Sequence, residues 1–430
     1  MGNLLTSRVP AGPIDALRRP QPLPEQARLL ALDSVWMEGE ALEQLARVAR
    51  MDDCVRAVGM PDLHAGPGMP IGAALGFGST IHPHLVGGDA GCGARLVVID
   101  KLKQHGDQLE RRVRAAFGEA SSMLAELDDP LALLEAIWQC GPRALVDAPI
   151  DDALAELAEA EPDDDLPESG ALPSALACEE FVATLGTIGG GNHFAELGEV
   201  TRVFDDASAG TLGLERRSFA LLVHTGSRAL GKTFAGLWGM RVLTDPNDQR
   251  EYLAQLAGTL RFARTNRLLV AWRLLEACGA ARRSKLRGSL DLMHNFVRRE
   301  PIGEESSGFV HRKGCAPAHE GELAVVLGSR GAPSWLMRGC GRLDCLCSVA
   351  HGAGRRMTRS EARAKLGHKH ERKSLQRTAS GSRVICDDKD LLYEEHPDAY
   401  KPIDPVIASL EAAEAATRVA ELSPVLTVKA

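Results

Sequence analysis

The 430-residue sequence predicts a mixed α/β (α+β) fold, with β-sheets around a central site and helices at the periphery. Strand-like and helix-like segments alternate irregularly along the chain, and no internal repeat is visible. Glycine-rich loops fall at the ends of several predicted strands, where loops commonly converge on a functional site. No clean linker divides the chain, so we interpret residues 1–430 as a single domain.

Hydrophobic spacing predicts the positions of most elements. Helical spacing of Leu and Val predicts a helix over residues 39–50, whereas "ARLVVID" (94–100) has the pattern of a buried strand. Further elements are helices within 108–160 and 248–287, a helix, loop and strand over 181–197, and strands at 218–227, "HNFVRRE", "ELAVVLGS" and "SWLMRG". Residues 347–366 predict a strand, a glycine turn and a helix, which Thr358 and Glu361 would start as a capping box.

Two segments are interpreted as irregular. Residues 60–79, "MPDLHAGPGMPIGAALGFGS", are rich in Gly and Pro, which predicts loop and turn. The stretch 144–180 contains many acids and neither Lys nor Arg, so we expect it to form an exposed connection.

Composition indicates a well-packed globular protein, with 44% apolar and 25% charged residues. No apolar run reaches the roughly eighteen residues of a membrane span, and the first residues lack a signal-peptide block, so we expect a cytoplasmic protein with no membrane segment. The ten cysteines are then expected to be free thiols. The net charge of −8 does not favour nucleic-acid binding, but basic runs at 261–287 and 354–378 indicate either a hidden basic face or two solvated helices.

Five dispersed side chains form a candidate metal site. Asp89 and Cys92 lie in the glycine-rich "VGGDAGCGARL", and His193, His224 and His294 each lie in or beside a glycine loop or a strand end. Carboxylate, thiolate and imidazole are the usual ligands of a transition metal. Five ligands exceed the need of one tetrahedral ion, and a bridging thiolate would allow a dinuclear centre of the kind that suits phosphoryl transfer.

A fourth histidine is interpreted differently. His351 lies in "HGAGR" just before a predicted helix, where small residues allow a phosphate to approach the backbone. A neutral imidazole there is a candidate nucleophile on phosphorus, with Arg355 neutralising phosphate oxygens. The alternative is a capping loop with an incidental histidine.

A competing motif is "GSRALGKT", in which Gly226–Thr233 satisfies the P-loop pattern and follows an apolar strand. A P-loop enzyme also needs an acid at the end of an apolar strand, and the candidates Asp100, Asp387 and Asp388 lie far away in sequence. The segment after Thr233 contains two glycines and no clear cap, which predicts a poor helix where the P-loop needs a good one.

Several ordered segments carry a resemblance to a known family. They are "MPDLHAGPGMPIG", "GGDAGCGARL", "GTIGGGNHFAEL", "VHTGSRALG", "HNFVRRE", "RKGCAPAHEGELAVVLGSRGAPSW", "HGAGRRMTRSEA" and "YKPIDPVI…VKA". Together, from about Met60 to Lys429, they resemble the RtcB family of RNA ligases and look like a compact bacterial member. Residues 1–59 match this pattern weakly.

The resemblance implies a GTP- and Mn²⁺-dependent RNA ligase. His351 would attack the α-phosphate of GTP and form a GMP–histidine intermediate, and the GMP would pass to an RNA 3′-phosphate. A 5′-hydroxyl would then displace GMP, and a 2′,3′-cyclic phosphate would first be opened to the 3′-phosphate. The implied partners are broken RNA ends, such as tRNA halves or ribosomal RNA, and an activator of the archease type.

The resemblance also implies specific roles for residues. One Mn²⁺ would take Asp89, Cys92 and His193, and the other would take Cys92, His224 and His294. The implied nucleotide contacts are Asn192, Phe194, Glu196, Asn295, Gly328, Ser329, Ser334, Gly352, Ala353, Gly354 and Lys429. Glu196 suits the guanine N–H groups because a carboxylate accepts from two donors, and His64 would reach RNA.

The sequence departs from the family pattern near the nucleotide contacts. The usual "GSMGTxSY" is here "GSRGAPSW", which places Arg330, Ala332 and Trp335 at three positions. These changes affect the expected shape of the guanine pocket and the RNA specificity. Two alternatives stay open, namely a P-loop NTPase using Gly226–Thr233 and a non-catalytic RNA- or ribosome-binding homologue.

Overall fold

Two large β-sheets form the centre of the fold, and they meet where the glycine-rich loops converge. The computed structural model describes residues 23–102, 105–118, 124, 127–162 and 165–430. The strands are β1 (Ala27–Leu29), β2 (Cys54–Ala65), β3 (Pro70–Phe77), β4 (Gly93–Ile99), β5 (Phe194–Val203), β6 (Phe219–Thr225), β7 (Leu286–Met293), β8 (Asn295–Pro301), β9 (Ser307–Lys313), β10 (Cys315–Pro317), β11 (Leu323–Val326), β12 (Ser334–Gly339), β13 (Ser348–Ala350), β14 (Arg383–Cys386) and β15 (Ala416–Lys429).

Helices cover the outer faces of these sheets. They are α1 (Gly39–Ala49), α2 (Gly106–Gly118), α3 (Pro130–Cys140), α4 (Asp152–Glu159), α5 (Glu179–Val182), α6 (Asp206–Gly210), α7 (Arg228–Trp238), α8 (Pro246–Cys278), α9 (Arg359–Gly367), α10 (Lys389–Glu394) and α11 (Ile403–Ala412). Among the described residues, none of these helices combines the length and apolarity that crossing a membrane requires. The mixed α/β (α+β) fold is therefore confirmed.

The larger sheet has the strand order β11-β12-β15-β5-β6-β4-β7, with β14 paired to β15. The smaller sheet has the order β1-β2-β3-β9-β8, and β10 pairs with β13 between the two. In the larger sheet β4 is antiparallel to both β6 and β7, which places Gly93 opposite Thr225 on one side and Met293 on the other. The start of β4 therefore lies beside the ends of β6 and β7.

The same edge of the larger sheet receives two further strand ends. Phe194, the first residue of β5, pairs with His224 in β6. Val428, near the end of β15, pairs with Ala195 in β5. Because these strands are antiparallel, the residues that precede β5 and follow β15 lie at the edge that also carries the loop before β4.

Helix α8 packs against the larger sheet and contacts the loops at this edge. Most of its residues from Leu256 to Cys278 are buried, and Arg267 donates to the carbonyls of Gly91 (2.5 Å) and Thr225 (3.1 Å). The Arg267 guanidinium also pairs with the buried Asp291 carboxylate at 2.6 Å. A buried guanidinium needs such partners to offset its desolvation, and here they join the loop before β4 to the end of β6.

Several predicted elements are confirmed. The helix expected over 39–50 is α1, and the strand expected over 94–100 is β4. Both halves of the capping box at α9 are present, since Glu361 N donates to Thr358 Oγ1 and Thr358 N donates to Glu361 Oε2.

The prediction of loop and turn over 60–79 is wrong, because this segment forms most of β2 and β3, which pair with each other. Several of its glycines fill positions where a side chain does not fit: a Cβ at Gly66 would lie 2.6 Å from the carbonyl oxygen of Met69. A register shift between Gly59 and His64 accommodates Pro61, since proline is tolerated at a bulge in a strand. Tight packing therefore explains the composition that we interpreted as irregular.

The exposed connection expected over 144–180 is also wrong in part. Leu154 and Leu157 of α4 are buried in the main core, as is Leu176 further on. The Glu161 carboxylate is buried and pairs with Arg95 at 2.6 Å. Acidic composition alone did not reveal that the apolar residues have helical spacing and pack against the interior.

Two other expectations change. The helix predicted over 248–287 ends at Cys278, where Gly279 takes a left-handed conformation, and β7 begins at Leu286. The part of the basic run 261–287 that lies in α8 ends at Cys278, and its arginines are buried. This part is therefore neither a basic surface nor a solvated helix. The run at 354–378 is mostly exposed and carries the basic character expected of a surface.

Candidate active site

Two groups of potential metal ligands share Cys92. One consists of Asp89, Cys92 and His193, the other of Cys92, His224 and His294, and in each the ligand atoms lie within 4.8 Å of one another. Cys92 Sγ is 3.4 Å from Nε2 of His193 and 3.4 Å from Nε2 of His224. These are the two sets that the family resemblance implies.

The remaining distances also suit metal ligation. His193 Nε2 lies 3.0 Å from Asp89 Oδ2, and His224 Nε2 lies 3.3 Å from His294 Nε2. Two ligands of one metal ion are separated by roughly 3.0 to 3.7 Å when each bond is about 2.0 to 2.3 Å long. The donor set therefore has the spacing of a dinuclear centre with a shared thiolate.

The protonation states of these groups support the same interpretation. Burial lowers the pKa of His224 and His294 well below the usual value, which leaves neutral imidazoles with a free lone pair. Burial and the neighbouring Asp89 raise the pKa of Cys92 well above that of an ordinary thiol. A thiol that faces a carboxylate and two imidazoles becomes a good ligand once a divalent cation displaces its proton.

Glycines allow the loop before β4 to pack closely against α8 and β7. Gly91 has a φ of +76°, and a Cβ there would lie 2.8 Å from Ala263 Cβ in α8. A Cβ at Gly93 would lie only 2.0 Å from the carbonyl oxygen of Leu292. The glycine content of this loop therefore follows from the close approach of Asp89 and Cys92 to α8 and β7.

His351 lies next to the candidate metal ligands. Its ring centroid is 4.7 Å from that of His294 and 6.3 Å from that of His224. On the other side, His351 Nδ1 is 2.7 Å from Asp62 Oδ2, and the Asp62 side chain is 0% exposed. The two atoms lie at ion-pair distance without the geometry of a hydrogen bond, and the negative charge of the carboxylate favours a proton on Nδ1, which leaves the lone pair on Nε2.

Hydrogen bonds and close packing fix the backbone around Asp62. Lys401 Nζ donates to the carbonyls of Pro61 (3.0 Å) and Leu63 (2.7 Å), which flank the acid. A Cβ at Gly72 would lie 2.6 Å from Asp62 Oδ1, and one at Gly354 would lie 2.2 Å from the Asp62 carbonyl oxygen. Only glycine fits at these two positions, so "HGAG" places His351 against Asp62.

A cavity of about 830 Å³ opens beside His351. Its walls include ten residues that the sequence analysis assigned to the nucleotide or to phosphate: Asn192, Phe194, Glu196, Gly328, Ser329, Gly352, Ala353, Gly354, Arg355 and Lys429. His64 also lines it. The volume lies in the range of small-molecule sites.

Two predicted contacts do not line this cavity. Asn295 Nδ2 donates to the carbonyl of Asp89 at 3.0 Å, and its Oδ1 accepts from Gly314 N at 2.8 Å. Ser334 Oγ accepts from Gly328 N at 3.0 Å. In this structure both side chains support loops of the site.

Glu196 and Lys429 form the polar end of the cavity. Burial raises the pKa of Glu196 to about 7, and Thr427 Oγ1 donates to Glu196 Oε2 at 2.6 Å. Lys429 Nζ donates to the His193 carbonyl at 3.0 Å and lies 5.8 Å from the centre of the Phe194 ring. The cavity wall therefore contains a hydrogen-bond acceptor (Glu196), an ammonium group (Lys429) and an aromatic ring (Phe194).

Arg355 lines the cavity, but its guanidinium is bound to protein groups. Nη1 lies 2.9 Å from Glu395 Oε1 and 3.1 Å from Tyr400 Oη, and Nη2 donates to the Glu394 carbonyl at 2.7 Å. Glu395 is also within ion-pair distance of Arg359 (3.4 Å). The proposed contact of Arg355 with phosphate stays a prediction.

Sequence reasoning missed several supporting residues. Asp62 and Lys401 lie in segments quoted for the resemblance, and neither was given a role. Glu395 was also missed, as was Lys313, whose Nζ would lie 2.6 Å from a Cβ at Gly87. A charged residue inside an apolar or proline-rich segment was the only local sign, because the partners of each residue lie far away in sequence.

The P-loop match is not a phosphate-binding loop in this structure. Helix α7 begins at Arg228, so only Gly226 and Ser227 separate it from β6. Ser227 Oγ donates to the Ala90 carbonyl, and Thr233 Oγ1 to the Ala229 carbonyl. The prediction that no good helix follows is wrong, but the helix begins too early to leave a loop that surrounds phosphate.

Taken together, fold and site define a mixed α/β protein with a candidate two-metal centre beside a histidine. The chain matches the profile of the family described as tRNA-splicing ligase RtcB over residues 44–246 and 240–430. The chain belongs to the RtcB family. The match begins within the N-terminal segment 1–59 that we interpreted as weakly similar.

Individual relatives agree with this assignment. The chain is 37% identical to RNA-splicing ligase RtcB2 of Escherichia coli (strain ATCC 25922) over 95% of this chain and 97% of the relative. It is 30% identical to RNA-splicing ligase RtcB of Mycobacterium tuberculosis over 90% of this chain and 100% of the relative. It is 28% identical to tRNA-splicing ligase RtcB of Archaeoglobus fulgidus over 91% of this chain and 92% of the relative.

Proposed function

We propose that this protein is a GTP- and Mn²⁺-dependent RNA ligase. It would join RNA 3′-phosphate or 2′,3′-cyclic phosphate ends to 5′-hydroxyl ends in tRNA splicing or RNA repair. The observation that carries this proposal is the position of His351: its ring lies against Asp62 on one side and beside two histidines of the candidate metal centre on the other.

His351 is suited to act as the nucleophile. With the proton held on Nδ1 by Asp62, the Nε2 lone pair attacks the α-phosphorus of GTP, a P–N bond forms and pyrophosphate leaves. An oxygen of the RNA 3′-phosphate then attacks the same phosphorus, which breaks the P–N bond and returns His351 to its neutral form. Finally the 5′-hydroxyl oxygen attacks the RNA phosphorus, its proton is lost and GMP leaves.

The five ligands fit two divalent cations, with Cys92 between Asp89 and His193 on one side and His224 and His294 on the other. Bound Mn²⁺ would supply positive charge to the phosphoryl oxygens. The chain itself orients the imidazole through Asp62 and excludes water through burial of these groups.

The lining of the cavity supports the proposed recognition of a guanine nucleotide. The Glu196 carboxylate would accept from guanine N1–H and N2–H, and Lys429 provides a donor near by. Gly352, Ala353 and Gly354 leave the backbone open to the phosphates, as small residues do in other phosphate sites.

RNA would approach over the basic segment 354–378. Arg359 and Arg363 of this segment line the cavity and have side chains about half exposed. A surface of this kind would bind the phosphates of both RNA ends. We include an archease-like activator and a cytoplasmic location in the proposal; all ten cysteines are free thiols, as a reducing compartment favours.

End joining tests the proposed function directly. A labelled RNA with a 3′-phosphate is mixed with a 5′-hydroxyl RNA, the protein, GTP and MnCl₂, once as tRNA halves and once as nicked ribosomal RNA. We expect a ligated product that requires both GTP and Mn²⁺. Binding of the ends without joining at any Mn²⁺ concentration would favour the non-catalytic homologue, and GTP hydrolysis that Lys232→Ala abolishes would favour the P-loop alternative.

Asp62→Asn is expected to slow guanylylation of His351 by roughly 10²- to 10³-fold without weakening GTP binding. The amide would donate to Nδ1 and thereby move the ring proton to Nε2, which removes the nucleophilic lone pair. Single-turnover labelling with α-labelled GTP measures the rate, and equilibrium binding measures the affinity. The exposed Asp52→Asn is the matched control, and an equal loss of rate and affinity in Asp62→Asn would indicate a structural role instead.

Binding of guanosine is expected to weaken as the pH falls below about 7. The pKa of Glu196 is raised to about 7 by burial, so the carboxylate that accepts the guanine N–H groups is protonated at lower pH. The dissociation constant should rise by up to about tenfold per pH unit below this value and level off above it. Guanosine is used because it carries no phosphate that titrates.

Glu196→Gln is the control for this pH dependence. It should bind guanosine weakly and with little change between pH 5.5 and 8, since the amide does not titrate. The same pH dependence in wild type and Glu196→Gln would show that another group is responsible.

A further inference from the structure

Arg330 is a buried cation of the cavity wall that lacks a full set of partners. Its side chain is 8% exposed, and Nη2 donates to the Leu392 carbonyl at 3.0 Å. Among the described residues, Nη1 has no hydrogen-bond partner and is inaccessible to solvent. Buried N–H groups are rarely left without an acceptor, so this N–H group is available to an acceptor atom of a ligand.

The loop that carries Arg330 is fixed in place. Ala332 N donates to the Ser329 carbonyl at 2.8 Å, which closes a turn around Arg330 and Gly331. Gly331 has a φ of +83°, and a Cβ there would lie 2.7 Å from Thr378. The turn is therefore packed against its neighbour, and the Arg330 side chain has a defined direction.

Nearby carboxylates do not satisfy this guanidinium. The Glu395 carboxylate contacts Arg355, Arg359, Lys429 and Tyr400, and no ion pair joins it to Arg330 among the described residues. Burial lowers the pKa of Lys429, and the positive charge of Arg330 also lowers it, whereas Glu395, Cys386 and Glu196 act in the opposite direction. Glu196, Lys429 and Arg330 all line the cavity, which therefore presents a carboxylate, an ammonium and a guanidinium.

This set of groups complements the edge of one purine base. Guanine presents N2–H and N1–H as donors, followed by the acceptors O6 and N7. A carboxylate suits the two donors, and the cations suit the two acceptors. Adenine carries an amino group where guanine has O6, and that group would face the donors of Arg330.

We propose that Arg330 binds the N7 and O6 acceptors of the guanine base and thereby selects guanine over adenine. This inference rests on the proposed function. It assigns a role to a position where the family pattern has methionine, so it concerns this chain in particular. Arginine is the side chain best suited to this edge because its guanidinium donates two hydrogen bonds at once.

Nucleotide analogues test the contact as a thermodynamic cycle. GTP, 7-deaza-GTP and ATP are titrated into wild type, Arg330→Met and Arg330→Lys, with thermal unfolding as the check on folding. We expect wild type to bind GTP roughly 10- to 140-fold more tightly than 7-deaza-GTP, the contribution of one hydrogen bond from a charged donor to N7. In Arg330→Met the affinity for GTP should fall by a similar factor, so that 7-deaza-GTP binds about as well as GTP. The ratio of the affinities for GTP and ATP should also become smaller.

The outcomes separate the two proposals. Equal binding of GTP and 7-deaza-GTP by wild type overturns the inference, even if the variants do not fold. An unchanged penalty for 7-deaza-GTP in Arg330→Met also overturns it, since the cycle then shows no coupling. In either case labelling of His351 by GTP would leave the proposed function standing, whereas absence of labelling in wild type would contradict the proposed function itself.

Discussion

Replacement of His351 by alanine is expected to abolish covalent attachment of GMP to the protein. The variant lacks the Nε2 lone pair that forms the P–N bond, and no other imidazole occupies the same position between Asp62 and the candidate metal centre. The rate of RNA joining should fall by roughly 10⁴-fold or more, as for removal of other nucleophiles. Labelling with α-labelled GTP and Mn²⁺, followed by denaturing gel electrophoresis, measures attachment.

The exposed His105→Ala is the matched control for this substitution. It should label as wild type does, and the wild-type label should be labile in acid, as a phosphoramidate is. If His351→Ala takes up as much label as wild type, the nucleophile lies elsewhere and the mechanism is wrong.

Replacement of Cys92 by alanine is expected to have an effect of similar size through loss of both metal ions. Cys92 Sγ lies 3.4 Å from a histidine of each group, so its removal takes one ligand from both sites. Bound Mn²⁺, measured by mass spectrometry after dialysis, should fall from two ions per chain to none, and joining should fall below detection.

Two further variants distinguish loss of one metal ion from loss of both and control for removal of a thiol. His294→Ala removes a ligand from one group only, so the variant should retain the ion bound by Asp89, Cys92 and His193. Cys140→Ala makes the same substitution at an exposed thiol and should leave the metal content unchanged. Retention of two tightly bound ions by Cys92→Ala would show that the thiolate does not bridge them.

The local elements of the fold were largely predictable from the sequence. Apolar spacing identified α1 and β4 because one face of α1 and both faces of β4 pack against a core. It failed over 60–79, where glycines in β2 and β3 reflect close packing of neighbouring atoms and not turns. The spacing correctly predicted a helix at α8, but the basic composition did not reveal that its arginines are buried, because their partners, Asp291 and backbone carbonyls, lie outside the helix.

The candidate metal ligands and His351 were predictable from the sequence, but the residues that hold them in position were not. Asp89, Cys92 and three histidines have a ligand chemistry that is visible in the sequence, and each lies near glycines or a strand end. The positions of Asp62 and Lys401 relative to His351 depend on contacts between distant segments. Arg330 was visible only as a departure from a family pattern, and its burial beside the cavity required the fold.

Anomalous diffraction at the manganese edge, from crystals grown with MnCl₂ and GTP, tests the central claim most directly. We expect two peaks, both adjacent to Cys92 Sγ, one next to Asp89 and His193 and the other next to His224 and His294. Continuous density should join His351 Nε2 to the α-phosphorus. A single peak, peaks away from Cys92, or a nucleotide bound far from His351 would contradict the account.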